Sequence, residues 1–463
     1  PLKIKPREDP FYSNMVGIPY ASFLLFPEIS LTHGYDSNIY TERKNETSDW
    51  VTTVSPLLVA KSKWDRHTLN FGLGADIGSY MNHSAENVTD YWLALGGQYD
   101  FSPESNVFGN LVHSHNHEDR GSADAVPGLN PTQYDSTEAS VGFARKDGAI
   151  STSARFTSEK FDFSTPAGAV SPYNNDDRNR TMDSVVARVG YAVSPILEPF
   201  IQAETDSRRY DKTLDDNGFM RSSDGYRIAL GMEFRTSATM QGEAYIGQMY
   251  QQFDDVRFTD VNQPYFGGDL SWKPLAGTTA TAFLERTLAE TTVAGASSSV
   301  DTTMGAKVEK VISQNMLVNG RMAYTWSDFK GGRNDETLDA GAGLKYYVTP
   351  TVFLGADYRF VNRDSNVSYA NYFRNQAMFS VGYTPGRKRI NPDGSAGGGW
   401  LDSLGEGMEG VLHASITPKL YSFSNSSGFR NDRVGFLERY DYREDSFSDG
   451  HQSDGLIADV DLA

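Results

Sequence analysis

The side chains with the strongest claim to chemistry are three histidines at alternate positions, His113, His115 and His117. On an extended strand they project to one side, about 7 Å apart, and three imidazoles are a plausible transition-metal set. One straight strand is a poor tetrahedral scaffold unless a neighbour adds a carboxylate, with Glu118 and Asp119 nearest in sequence. The plainer reading is three wet residues near an outer mouth. Glu233 and Glu243 form a second candidate, a carboxylate pair such as a glycosidase uses. Arg227 and Arg235 read as their neutralising partners, and neither a Gly-x-Ser-x-Gly elbow nor a phosphate loop accompanies them. With no cysteine in 463 residues, thiolate metal sites, Cys nucleophiles and disulfides all drop out. The chain therefore reads as a non-enzyme, with no catalytic residue, cofactor or metal assigned.

The elements that carry these residues alternate apolar and polar positions with period two, segment after segment, over about ten positions each. Leu69, Phe71, Leu73, Ala75 and Ile77 fall on one face, against Asn70, Gly72, Gly74, Asp76 and Gly78. Tyr91, Leu93 and Leu95 oppose Trp92, Gln98 and Asp100, and Leu338, Ala340, Ala342, Leu344 and Tyr346 oppose Asp339, Gly341, Gly343 and Lys345. About eighteen such segments lie between Pro27 and Tyr383, within the range of transmembrane barrels. No apolar run is long enough for a membrane-spanning helix. Hydrophobic residues make up 38 % of the chain, which is too few for several ordinary cores. A formal charge of −18 argues against nucleic acid or an anionic surface as the main partner.

Soluble sandwiches and propellers also alternate, so the connections decide. Short turns (Lys61–His67, Ser102–Asn106, Lys146–Ala149, Ser194–Ile196) interleave with long polar loops (Asn82–Asp90, Glu118–Asp135, Phe163–Arg178, Ser207–Gly225). Tight turns at Arg235–Ala238, Lys273–Thr278, Ser313–Asn315 and Thr349–Thr351 continue the pattern. Short periplasmic turns and long extracellular loops are the habit of outer-membrane barrels. The fold class expected is all-β: a transmembrane antiparallel β-barrel of about 18 strands with a wet interior. Its lumen lining is expected to include Asp76, Trp92, Arg155, Arg188, Arg227 and Glu233, and further round Asp269, Arg321, Asp357, Arg359 and Arg374. Aromatics on that polar face (Trp92, Tyr80, Tyr134, Tyr245, Tyr265) could stack on sugar rings, or simply pack the lumen.

Gly17–Pro27 leads into Tyr35-Asp36-Ser37-Asn38-Ile39-Tyr40 and then Ser48-Asp49-Trp50-Val51-Thr52-Thr53-Val54-Ser55-Pro56. With Thr89-Asp90-Tyr91, Tyr99-Asp100-Phe101 and the closing Asn375–Tyr383, this resembles the putative beta-barrel porin 2 family over residues 15–386. The resemblance implies an outer-membrane barrel of a diderm bacterium, set in outer-membrane lipid. It also implies an outlet for capsular polysaccharide or exopolysaccharide, working with periplasmic export or synthesis proteins. The alternatives are a general porin for small solutes and a sleeve holding a partner such as a multihaem cytochrome, whose openings the tail slightly resembles.

The expected organisation is a periplasmic lead-in over 1–26, a barrel over 27–386 and an extension over 387–463. The extension carries 13 acidic and 8 basic residues. A periplasmic tail, extra strands, a lumenal plug and a foreign segment are all open for it. The chain opens on Pro1 without a signal-peptide apolar stretch, so it reads as a processed or an incomplete chain.

Overall fold

A computed structural model describes residues 17–386 apart from 126, 127, 170–173 and 238; the extension 387–463 and most of the lead-in lie outside the described residues. A short strand β1 (Ile18–Tyr20) is followed by β2 (Phe23–Asp36), β3 (Asp49–Ser62), β4 (Thr68–Tyr80), β5 (Val88–Ser102), β6 (Ser105–His117) and β7 (Gln133–Asp147). Then come β8 (Ile150–Phe163), β9 (Arg180–Tyr191), β10 (Leu197–Tyr210), β11 (Ser223–Ser237), β12 (Met240–Phe253) and β13 (Val261–Trp272). The chain ends its regular structure with β14 (Thr278–Ala289), β15 (Ser299–Ser313), β16 (Met316–Phe329), β17 (Asn334–Tyr347), β18 (Val352–Ser365) and β19 (Tyr372–Tyr383). β2 begins at Phe23 rather than Pro27, because Phe23–Phe26 pair with Ser62–Val59 of β3 and β1 folds back on Phe23–Leu25.

Each long strand pairs antiparallel with the next, and β19 pairs with β2, which closes an 18-strand up-and-down barrel. Strands of 12–15 residues span about 40–50 Å along their length, or about 30–38 Å of height when tilted by about 40°. That exceeds the roughly 25 Å apolar band of such barrels, so the strand ends stand in the interfaces.

Alternation sorts the two faces. Leu31, Val54, Leu93, Val141, Ile228 and Met322 are exposed at mid-height on the outer face. Exposed aromatics ring its two ends, with Tyr35, Trp50, Tyr91 and Trp326 toward the long loops and Phe101, Tyr191, Trp272 and Tyr383 toward the short turns. Such girdles suit rings that are apolar in body and polar at the tip.

Closure is stapled by the Tyr35-Asp36-Ser37-Asn38 segment. The β2–β19 ladder covers Ile29–Asp36, and side chains extend it further. Arg374 Nε donates to Asp36 Oδ2 at 2.8 Å, Gln376 Nε2 to the same oxygen at 2.8 Å, and Asn38 Nδ2 to the Phe373 carbonyl at 3.0 Å. Asn38 also donates its N–H to Asp36 Oδ1 at 3.0 Å, the local Asx turn that ends the strand. A chain that closes head to tail must join residues more than 330 positions apart, and this short motif does so with fully buried polar groups.

Glycines on the inner face let large rings lie flat against the wall. A Cβ at Gly74 would meet the Trp92 indole at 2.7 Å, and one at Gly231 would meet the Phe200 ring at 2.1 Å. Two buried apolar clusters lie against the inner wall, one around Leu57, Val59, Trp92 and Val112, the other around Met249, Phe253, Val261 and Tyr265.

Candidate functional site: the lumen and its mouth

All of the predicted lumen residues lie on the face opposite the exposed apolar band, and most are drawn into ion pairs or hydrogen bonds along the wall. Asp76 on β4 accepts from Ser55 Oγ across the β3–β4 ladder. Arg188 on β9 bridges the cross-strand neighbours Glu233 and Glu243, at 3.4 and 3.1 Å, with its guanidinium 3.4 Å from the Phe200 ring centre. Arg235 also contacts Glu233, whereas Arg227 pairs with Glu204 and sits 3.8 Å from Asp206. The partners of the two glutamates are thus Arg188 and Arg235, not Arg227, because Arg227 stands toward the other end of β11, opposite Glu204 in the β10 register. Arg359 Nε donates to Asp339 Oδ2 at 3.0 Å. Arg321, Asp357, Asp269 and Arg155 occupy inward positions of β16, β18, β13 and β8, alternating with the exposed Met322, Tyr358, Trp272 and Phe156.

The aromatics of this face lie differently from an open sugar platform. Trp92 and Tyr134 are buried, Tyr134 against Phe163 with ring centres 5.1 Å apart, and Tyr245 packs on the buried Tyr265 at 5.0 Å. His113 and His115 lie on the outside, in step with the exposed Leu111, with Thr137 and Asp135 as their cross-strand partners. His117, at the end of β6, is largely buried and held by Asp90, which shares the inward parity of Trp92. His115 also stacks on Tyr91 at 5.2 Å, within the extracellular girdle. Among the described residues no group of three or more His, Asp or Glu side chains could hold a metal ion.

The feature that spacing did not reveal is at the mouth. The described residues of the loop between β6 and β7 (118–125 and 128–132) fold inward and are fastened to distant parts of the wall. Arg374 on β19 donates to Asp119 Oδ2 at 2.6 Å, and Arg363 on β18 donates to the Gly121 carbonyl. Arg178, before β9, forms a two-pronged pair with Glu118 at 2.7 and 2.9 Å. Arg120 reaches Glu86 in the β4–β5 loop, its Nε donating at 3.0 Å.

The tip of the β14–β15 hairpin meets this loop from the far side. Thr291 Oγ1 and the Thr292 N–H both donate to Asp124 Oδ1, at 2.7 and 2.8 Å. Glu290 in turn receives Arg208 and Tyr210, inward residues of β10, and Arg221 donates to the Ala296 carbonyl at 2.8 Å. Arg178, Arg208, Arg221, Arg363 and Arg374 are each buried. Buried guanidinium–carboxylate pairs are held at the cost of desolvation, and breaking one side leaves a charge stranded. Burial alone would raise the Asp119 carboxyl; the Arg374 charge and the Gly121 N–H overcome it and hold the group below the ordinary aspartate range.

These features define a class: an outer-membrane β-barrel whose charged lumen is narrowed at one mouth by inward-folded loops. Residues 9–384 match the family described as Putative beta-barrel porin 2, and the chain belongs to that family. It is a protein of the outer membrane of a Gram-negative bacterium. The barrel is similar to solved structures of OpdO from Pseudomonas aeruginosa (11 % identity, TM-score 0.39, 78 % of this chain and 96 % of that one). It is also similar to OccK9 (OpdG) from the same organism (11 %, 0.42, 78 % and 98 %). A BenF-like porin from Pseudomonas fluorescens Pf-5 is another (10 %, 0.41, 78 % and 98 %). No curated protein matches the sequence.

Proposed function

We propose that the protein is a passive diffusion pore for small polar solutes, with its narrowest section set by loop 118–132 and the β14–β15 tip. The observation that carries this reading is the anchoring of one loop to several sides of the mouth at once, through Arg374–Asp119, Arg178–Glu118 and Asp124–Thr291. A polymer outlet needs a mouth that clears a moving chain, and a partner-holding sleeve needs an emptied lumen. Buried ion pairs across the opening oppose both. The inner-wall charges, from Asp76 and Arg155 round to Asp357 and Arg359, act as a ladder of opposite signs that keeps the lumen wet and orients ionic solutes. Trp92 and the other ring-bearing positions serve as wall packing.

Planar-bilayer recordings test this. A small, steady ohmic conductance that is indifferent to added maltohexaose, together with liposome swelling that falls off with sugar size, is the expected result. Current block by oligosaccharide, together with loss of secreted polysaccharide on gene deletion, would restore the polysaccharide-export reading.

A further inference from the structure

Among the described residues the ladder between β13 and β14 has the fewest paired residues of any between the long strands. Between β13 and β14 only Gly267–Trp272 pair, with Glu285–Ala280, so the half of the two strands toward the long loops carries no ladder among the described residues. Pro264 lies in the unpaired part of β13 and has no N–H to give. Beyond the paired stretch, the β14–β15 tip is bonded to Arg208 of β10 and to Arg221 instead.

Leu288 and Val300 share the parity of the lipid-facing Leu284 and Met304, yet they are 8 % and 1 % exposed. They pack with Val261, Tyr265, Met249 and Phe253, which belong to the inner face. A buried apolar cluster therefore fills the seam, joining residues of outward parity on β14 and β15 to residues of the inner wall. One polar clasp crosses it: Arg286 on β14 donates to Gln263 Oε1 on β13 at 3.1 Å and to Thr302 Oγ1 at 2.9 Å. Unpaired backbone facing lipid is costly, and barrels tolerate it only where protein or a cavity covers it.

We infer that the β13–β14 seam is a lateral passage between the lumen and the outer leaflet, clasped by Arg286 and selective for small solutes that are apolar over much of their surface. It is a route distinct from the axial pore. An apolar solute that leaves the water of the mouth meets the Met249–Phe253–Tyr265 wall, with Arg227 6.0 Å from the Tyr265 ring, and then Leu288 and the Arg286 clasp.

The absence of native cysteine makes the test direct. The full chain carrying Gln263→Cys and Arg286→Cys is expressed in a diderm host, and uptake of N-phenyl-1-naphthylamine by intact cells is compared with ionic conductance of the purified protein, oxidised and reduced. Oxidation is expected to cut dye uptake at least about fivefold while conductance stays within about a fifth of its reduced value. Arg286→Ala, which needs no cross-link, is expected to raise dye uptake severalfold with conductance unchanged. Equal uptake in the oxidised and reduced forms, or no gain with Arg286→Ala, overturns the proposal. So does a parallel fall of uptake and conductance on oxidation, since both would then use the axial pore.

Discussion

Removing Arg374 should open the mouth. Its guanidinium is buried and holds two carboxylates, Asp119 of the inward loop at 2.6 Å and Asp36 at the closing seam at 2.8 Å. Arg374→Ala strands both charges, and breaking a buried pair from one side costs about 3–5 kcal/mol. If about 3 kcal/mol of that falls on loop docking, the docked-to-undocked ratio changes by about 150-fold, and a loop undocked about 1 % of the time becomes undocked for more than about half of it. Single-channel records should then show a second, larger conductance level. Asp119→Asn, which leaves Asp36 paired, should show the same level less often. Arg209→Ala breaks an exposed pair with Asp224 and should change nothing. Because Arg374 also serves barrel closure, heat-modifiable gel mobility must be retained for the comparison to count. An Arg374→Ala barrel that stays heat-modifiable and conducts with wild-type amplitude and noise would refute the gating role of loop 118–132.

Three further outcomes follow from the same geometry. Asp119 ionises below the ordinary aspartate range, so its contribution to docking is full above the unfolded value of about 3.9 and is lost as pH falls through the lower folded value. Conductance should accordingly be flat from about pH 5 to 8 and the larger level should appear only below about pH 4; opening near pH 6 would contradict the assignment. Arg188→Ala leaves Glu233 facing Glu243 across the β11–β12 ladder, and the reversal potential in a KCl gradient should move toward potassium while the unboiled form melts at lower temperature. Asp124→Cys with Thr291→Cys joins positions whose side chains now meet at 2.7 Å, and oxidation in the Arg374→Ala background should abolish the larger conductance level, with a reductant restoring it.

Much of the barrel was legible because its rules are local. Period-two alternation assigns each strand two faces without reference to any other strand, and it put Asp76, Arg227, Asp339 and Arg359 opposite the lipid-facing band. Turn lengths such as Lys146–Ala149 and Thr349–Thr351 likewise depend only on neighbouring residues. The same parity could have placed His113 and His115 outside, since they alternate in step with Leu111. Pairing was a different matter. Glu233 and Glu243 were expected to lean on Arg227 and Arg235; Arg235 does contact Glu233, but the β10–β11 register sets Arg227 opposite Glu204, and the bridge between the two glutamates comes from Arg188 on β9.

By itself, then, the sequence determined a closed sheet of about eighteen strands, its wet and apolar faces, and which end carries the long loops. Only the tertiary structure decided how the mouth is narrowed and where the ladder between long strands is shortest. Arg374 meets Asp36 across 338 positions and Asp119 across 255, and Asp124 meets Thr291 across 167. No spacing rule reaches that far, because these contacts arise from barrel curvature and inward-folding loops. The contact at the β14–β15 tip is of the same kind: Glu290 meets Arg208, four strands away in the sheet and 82 positions away in sequence.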